Sequence, residues 1–176
     1  FKTDPRMDIW RNELIWAWNQ ALWDAPSKVL AKGEPDPQLL LTTQLAPELT
    51  GVSKELIMIS AYFVPGQPGL VYLTGRADAG VSVSLLTNSL EATDVPAVHG
   101  GYAPYRKALL QHGVKLYELR RQPGDGGGSG PHVFYSKSFR GSDSSLHSKA
   151  IIFDRRKSFI GSFNFDPRSV LWNTEV

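Results

Sequence analysis

Six residues within one eighteen-residue stretch, His147, Lys149, Asp154, Gly161, Ser162 and Asn164, constrain this chain more than any other feature. His147 and Lys149 are two residues apart, so on a strand their side chains point to the same face. Residues 150–153, Ala-Ile-Ile-Phe, are a short apolar run of the kind found in strands buried on both faces. Residues 154–157, Asp-Arg-Arg-Lys, make a polar turn, and residues 158–160 read as a return strand ending at Gly161. A hairpin of this shape carries Gly161, Ser162 and Asn164 back beside His147 and Lys149.

An imidazole, an ammonium, a hydroxyl and a carboxamide thus converge at one end of a sheet, and phosphoryl transfer uses such a set. A neutral His147 can attack phosphorus or move a proton near neutral pH. Lys149 and Asn164 can donate hydrogen bonds to non-bridging oxygens, whose charge must be held in the transition state, and Ser162 can complete those contacts. Gly161 lets backbone approach a bulky anion. No cluster of carboxylates accompanies the set, so neither a metal ion nor any other cofactor is expected. Asp154 lies beyond the apolar run, too far along the strand to reach phosphorus, and reads as an acid that orients backbone or pairs with a base.

The spacing His-x-Lys-x4-Asp-x6-Gly-Ser-x-Asn, here His147, Lys149, Asp154, Gly161, Ser162 and Asn164, resembles the HKD motif of the phospholipase D superfamily. Residues 164–169 and 173–175, together with the segments 87–94 and 99–102, resemble the cardiolipin synthase branch more than the nuclease branch. The resemblance covers residues 56–176 well and the preceding part loosely. It implies phosphodiester chemistry through a phosphohistidine, in which His147 attacks and a second histidine, from a second motif, protonates the leaving alcohol. Asp154 then belongs to the motif's catalytic set. Glu175 is similar to the family's acid that orients a catalytic histidine through its second ring nitrogen. Two partners stay open for it, His147 or a histidine across a two-fold. Arg168 is a candidate for contact with the acceptor alcohol and His99 for a pocket wall, each with a plain structural alternative. Asp166 reads as structural. The implied reaction moves a phosphatidyl group from one phospholipid to the hydroxyl of another, or to water, at a membrane surface, expected to be the bacterial inner membrane.

The remainder of the chain supports an α/β fold, a mixed, mainly parallel sheet sandwiched between helices. Strands are expected over residues 55–63, 81–87 and 114–119. Helices are expected over 70–79, with Gly80 as its cap, and over 104–112, with Gly113 as its stop. That βαβαβ order implies parallel pairing, and ligands sit beyond the C-terminal ends of such strands, near Tyr62, Asn88 and His99. Residues 38–53 read as a helix interrupted or restarted at Pro47. Apolar positions from 8 to 23 have helical spacing, with Asp8 a candidate N-cap, and this helix is rich in Trp. It packs into a core or, since Trp favours interfaces, rests on lipid headgroups. Residues 25–37 hold three prolines and a glycine and read as a linker, residues 122–130 as a glycine-rich surface loop, and 132–139 as a strand feeding the motif. His112 reads as a cation at a helix C-terminus. Arg155, Arg156 and Lys157 read as a solvated hairpin tip, with steering of anionic lipid as the alternative.

Net charge is +2, which gives no clustered basic face for nucleic acid, and the 176 residues contain no cysteine and no apolar run long enough for a membrane span. His-x-Lys occurs once, for His99, His112 and His132 all lack a lysine two residues on. One histidine cannot both attack a phosphorus and protonate the leaving oxygen on its opposite side, so a second site must come from a partner. The chain opens on Phe1 and ends just past its motif. It is therefore expected to be the second half of a longer protein, with residues 1–37 the tail of a preceding half or a linker helix and 38–176 a C-terminal catalytic half. The partner would be a first HKD half in the same parent chain or a second copy in a homodimer. Two rival readings are a phosphodiesterase or nuclease on the same fold and a non-catalytic binding or assembly unit.

Overall fold

The computed structural model describes residues 16–120 and 145–176. A helix α1 (Leu41–Gly51) leads into strand β1 (Glu55–Ser60), which is followed by α2 (Gly66–Asp78) and β2 (Ser82–Asn88). Then come α3 (Pro96–Tyr102), the 3-10 turn Ala103–Tyr105, α4 (Arg106–Gln111) and β3 (Lys115–Leu119). The hairpin of β4 (Lys149–Phe153) and β5 (Lys157–Ile160) and the short α5 (Pro167–Leu171) complete the described elements. The strands form one five-stranded sheet in the order β3-β2-β1-β4-β5. β1, β2 and β3 are parallel, whereas β4 is antiparallel to β1 and β5 to β4. The sheet is mixed and mainly parallel, as its sequence order implies.

Alternation along the strands decides which face is the core. Leu56, Met58 and Ser60 on β1 are buried, opposite Phe153, Ile151 and Lys149 on β4. On the other flank of β1, Val83 and Leu85 of β2 complete the same layer. Leu41 and Leu45 from α1, Leu73 from α2 and Leu109 from α4 pack onto it in one cluster. The opposite face, with Ile57, Ile59, Leu86 and Ile152, is half-buried among the described residues. The apolar run in β4 therefore alternates between buried and half-buried positions instead of being buried on both faces. Gly80 and Gly113 stop their helices with φ of 88° and 81°, which a residue bearing Cβ adopts only at a cost.

Several elements differ from the sequence reading, each for a local reason. Of the helix expected over residues 8–23, residues 8–15 lie outside the described residues and residues 16–25 carry no regular structure. Trp16 and Trp18 are 90% and 103% exposed, so no apolar face is buried to stabilise a helix there. Residues 25–37 are docked on the body. They contain one 3-10 turn, Pro26–Leu30, and a second, Pro37–Leu39, follows directly, each opening on a proline whose missing N–H is no loss at that position. The helix expected over 38–53 starts at Leu41. Pro47 removes one hydrogen bond inside it, yet Leu41 and Leu45 anchor it in the core. β1 ends at Ser60, three residues short of the expected strand. α3 was hidden by Gly100 and Gly101, poor helix formers. A Cβ at Gly101 would meet Val64 at 3.0 Å, so the glycine permits the helix to pack closely. The loop over 122–130 and the strand over 132–139 fall outside the described residues.

The β4–β5 turn is held by Asp154. Asp154 and Arg155 have φ of 52° and 54°, the left-handed region, which Asp tolerates better than most residues. The Asp154 carboxylate compensates by accepting hydrogen bonds from the backbone N–H groups of Lys54 (2.7 Å), Glu55 (2.8 Å) and Ser53 (3.1 Å). The Arg155 guanidinium pairs with both oxygens of the Glu55 carboxylate. The three backbone donors hold the Asp154 carboxyl down, at about 2, against an ordinary 3.8. A depressed folded-state value means that Asp154 stabilises the fold above pH 4 and loses that contribution as pH falls toward 2. Asp154→Asn keeps a residue suited to the backbone but accepts fewer of these hydrogen bonds. It is expected to lower the melting temperature at pH 7 and to flatten its decline between pH 4 and 2, as followed by circular dichroism.

Candidate active site

The site lies beyond the C-terminal ends of β1 and β2, where β4 begins. Asn88, at the end of β2, donates to the Ala61 and Leu146 carbonyls (3.1 and 3.0 Å) and accepts from the Leu146 N–H (2.9 Å). That two-way bond fixes the backbone immediately before His147. His147 itself is exposed and precedes the strand, while Lys149 is the first residue of β4 and is 8% exposed. The two do not share a strand face as expected, but they meet. The Lys149 ammonium donates to the His147 carbonyl at 2.6 Å and lies 3.4 Å from His147 Nδ1. Burial lowers the Lys149 ammonium below the usual lysine range, and the Glu175 and Asp94 carboxylates push it back up. A lysine so placed is a partly desolvated cation beside a solvent-facing imidazole.

Asn164 is buried, and its Oδ1 accepts from the Tyr62 N–H at 3.1 Å. Its carboxamide oxygen is thereby spent on β1's continuation, which leaves the amide end as its donor. Asp166 caps α5, accepting from the N–H groups of Arg168 (2.8 Å) and Ser169 (3.1 Å), which bears out its structural reading. A cavity of about 500 Å³ adjoins Asn164. Its lining includes the apolar Val64, Val98 and Gly101 and the polar Tyr62, Arg168 and Asn173. The Tyr62 hydroxyl donates to the Asp94 carboxylate (2.8 Å), and burial together with that bond pushes its pKa up to about 12, so it stays protonated.

Ser162 and Glu175 are bonded to each other. The Ser162 hydroxyl donates to Glu175 Oε2 and accepts from the Val176 N–H at 3.0 Å, and the Ser162 N–H donates to the Val176 carbonyl at 2.8 Å. Glu175 is 5% exposed. Among the described residues its carboxylate is bonded to Ser162 and not to His147. Gly161 is required here for a reason other than the one its motif suggested. A Cβ at 161 would clash with the Val176 carbonyl oxygen, so the glycine permits the close approach of residues 175 and 176.

Lys149 thus meets His147, Asn164 and Arg168 line the cavity, and Ser162 and Glu175 are bonded to each other. Two expected site residues do not join them. Asp154 stands at the far end of β4, about 16 Å along the strand from Lys149. His99 sits in α3 with its ring edge-on to the buried Tyr102 at 5.6 Å, and it is not part of the cavity wall. His112 ends α4 as expected and pairs with Asp78 at 2.8 Å. Sequence reasoning missed the bracing by Asn88 and the Tyr62–Asp94 pair, although it placed Tyr62 and Asn88 at these strand ends. It also missed Asp24 and Lys28, whose buried ion pair of 2.7 Å lies against residues 169 and 175. Their only signal was opposite charge four residues apart, which ordinarily marks a solvated pair. Gly161→Ala is expected to expel residues 175 and 176 from the sheet edge. That should destabilise the fold by about 1–3 kcal/mol and speed amide exchange at Ser162 and Val176, measured by hydrogen exchange.

Comparison with known proteins accords with this geometry. The family described as "Cardiolipin synthase, PLD-like domain" matches residues 45–176. Cardiolipin synthase C of Escherichia coli (strain K12) is 43% identical over 164 residues, which cover 93% of this chain and 33% of that protein. Cardiolipin synthase B of Salmonella typhi is 32% identical over 128 residues, 73% of this chain and 25% of that protein. The chain therefore spans about a quarter to a third of the length of these relatives. A crystal structure of a phospholipase D family member, Nuc from Salmonella typhimurium, superposes with a TM-score of 0.54 at 16% identity, over 77% of this chain and 71% of that one, which bears on the fold alone. The helix-packed, mixed five-stranded sheet and the match over residues 45–176 make this chain a member of the phospholipase D-like family of cardiolipin synthases.

Proposed function

We propose that this chain contributes one half of a phosphatidyl-transfer site. The observation that carries the reading is the Lys149 ammonium, buried yet 3.4 Å from an exposed His147 ring. A cation next to a nucleophile is what an anionic phosphodiester needs, because attack builds charge on the non-bridging oxygens. In the proposed reaction an imidazole nitrogen of His147 attacks phosphorus and a P–N bond forms. The P–O bond to the leaving alcohol breaks, and that oxygen takes a proton from a second histidine. The acceptor hydroxyl then attacks the phosphohistidine, losing its proton to the second histidine, and restores His147. Lys149 and the amide of Asn164 hold the phosphoryl oxygens. Glu175, bonded to Ser162 and not to His147, suits the second histidine as its partner, and that histidine comes from another HKD half in the same protein or from a second copy.

The substrate class is a phospholipid, with the acceptor either another lipid's hydroxyl or water. The mainly apolar cavity beside Asn164, with Tyr62, Asp166, Arg168 and Asn173 also in its lining, supports a ligand with both apolar and polar parts. The exposed Trp16, Trp18, Trp23 and Trp172 support peripheral contact with a lipid surface, where indole rings partition. No described helix is long and apolar enough to cross a membrane.

In the full-length protein, incubated with phosphatidylglycerol vesicles, His147→Ala is expected to abolish transfer, a loss on the order of 10³ to 10⁶, and to abolish an acid-labile, base-stable phosphoryl adduct. A variant that keeps near-normal transfer and the adduct refutes the reading. The transfer rate should also fall on the alkaline side below the usual lysine value of 10.5, because burial depresses Lys149 and its uncharged form holds no phosphate. Glu175→Gln, which removes a carboxylate that supports the ammonium, should shift that limb to still lower pH in a rate–pH profile.

A further inference from the structure

Asp24 and Lys28 lie outside residues 45–176, the part that matches the family, yet their side chains are 2% and 1% exposed. A buried carboxylate must be fully engaged to be tolerated, and the destinations of these bonds are informative. Asp24 Oδ1 accepts from the Leu41 N–H at 2.6 Å, at the start of α1. Oδ2 accepts from the Lys28 ammonium at 2.7 Å and from the Glu175 N–H at 2.9 Å. In the opposite sense, the Asp24 N–H donates to the Glu175 carbonyl at 2.9 Å. Residue 175 is thus gripped on both sides of its Cα by residue 24. Lys28 donates in addition to the Ser169 carbonyl at 3.0 Å, and the Ser169 hydroxyl accepts from the Asn164 N–H at 3.4 Å.

We infer that Asp24 is a positioning residue for the reaction, acting through Glu175, and that Lys28 holds Asp24 and α5 in the register this requires. The inference rests on the role given to Glu175 in the proposed function. Two bonds to residue 24 hold the Glu175 backbone, and from there its carboxylate reaches the Ser162 hydroxyl. The segment around residues 24–28 therefore supports residue 175 from behind. Small displacements of a group that orients a catalytic histidine are costly, of order 10²-fold per ångström, so loosening residue 175 should reach the chemistry without touching substrate.

A double-mutant cycle in the full-length protein tests this, with kcat and KM for phosphatidyl transfer as readouts. Asn at position 24 still accepts from Leu41, but it turns an NH2 group against the Glu175 N–H and the Lys28 ammonium. Asp24→Asn should therefore lower kcat about 10- to 100-fold with KM little changed. In a Glu175→Gln background the same replacement should cost less than about threefold more, because residues acting as a unit are non-additive. If Asp24→Asn alone does not fold, the pair Asp24→Asn with Lys28→Met, which removes the facing ammonium, takes its place in the cycle. Losses that multiply, or an unchanged kcat in Asp24→Asn, overturn the inference while His147→Ala still reports separately on the proposed chemistry. A Glu175→Gln variant with normal kcat overturns it together with the role of Glu175, again without touching His147.

Discussion

Ser60 faces Lys149 across the antiparallel pairing of β1 with β4, and the placement of the site follows from that register. Side chains alternate strictly along a strand, so a slip of one residue would turn Lys149, Ile151 and Phe153 out of the core and bring Ala150 and Ile152 in. The ammonium would then leave its buried place opposite Ser60. Different chemistry secures the two ends of this pairing. At one end Asp154 collects the N–H groups of residues 53–55. At the other, Phe165 donates to the Ser60 hydroxyl at 3.0 Å and Tyr62 to Asn164 at 3.1 Å. Between them the apolar pairs Leu56–Phe153 and Met58–Ile151 exclude water.

The end of the sheet beside His147 is assembled from charges that the fold has withdrawn from solvent. Lys149, Glu175, Asp24 and Lys28 are all below 10% exposed. Breaking one member of a buried pair costs about 3–5 kcal/mol, far more than an exposed pair, because the remaining charge is stranded. These residues tie the segment near residue 24, the start of β4 and residue 175 into one arrangement. The cavity wall differs, since Arg168 is exposed there and can adapt to a ligand without disturbing the core.

The sheet and its hairpin were legible in the sequence because their signals are local. Period-two alternation, two helix-stopping glycines and a polar turn specify β1 to β5 almost without tertiary help. The spacing from His147 to Asn164 likewise exposed the grouping of Lys149, Asn164 and Ser162. What stayed hidden depends on partners distant in sequence. Gly161 reads as an anion approach until Val176 is seen lying against it. His99 reads as a pocket wall until α3 turns its ring onto Tyr102. Residues 25–37 read as a linker because proline and glycine look alike whether a segment runs free or is docked by a buried Lys28. The Trp-rich segment had helical spacing, but spacing alone does not supply a surface to bury against.

The clasp made by Asp154 joins residues 100 apart in sequence. The βαβαβ unit of β1, β2 and β3 closes over short connections, whereas the β1–β4 pairing must first bring together chain ends separated by that whole unit. Loop-closure entropy is met before such a contact returns any energy, so long-range pairings form late. His147, Lys149 and Ser162 all belong to the late-arriving hairpin. The parallel unit can thus become compact before Lys149 meets His147, and on this topology partly folded chains carry a sheet without that contact.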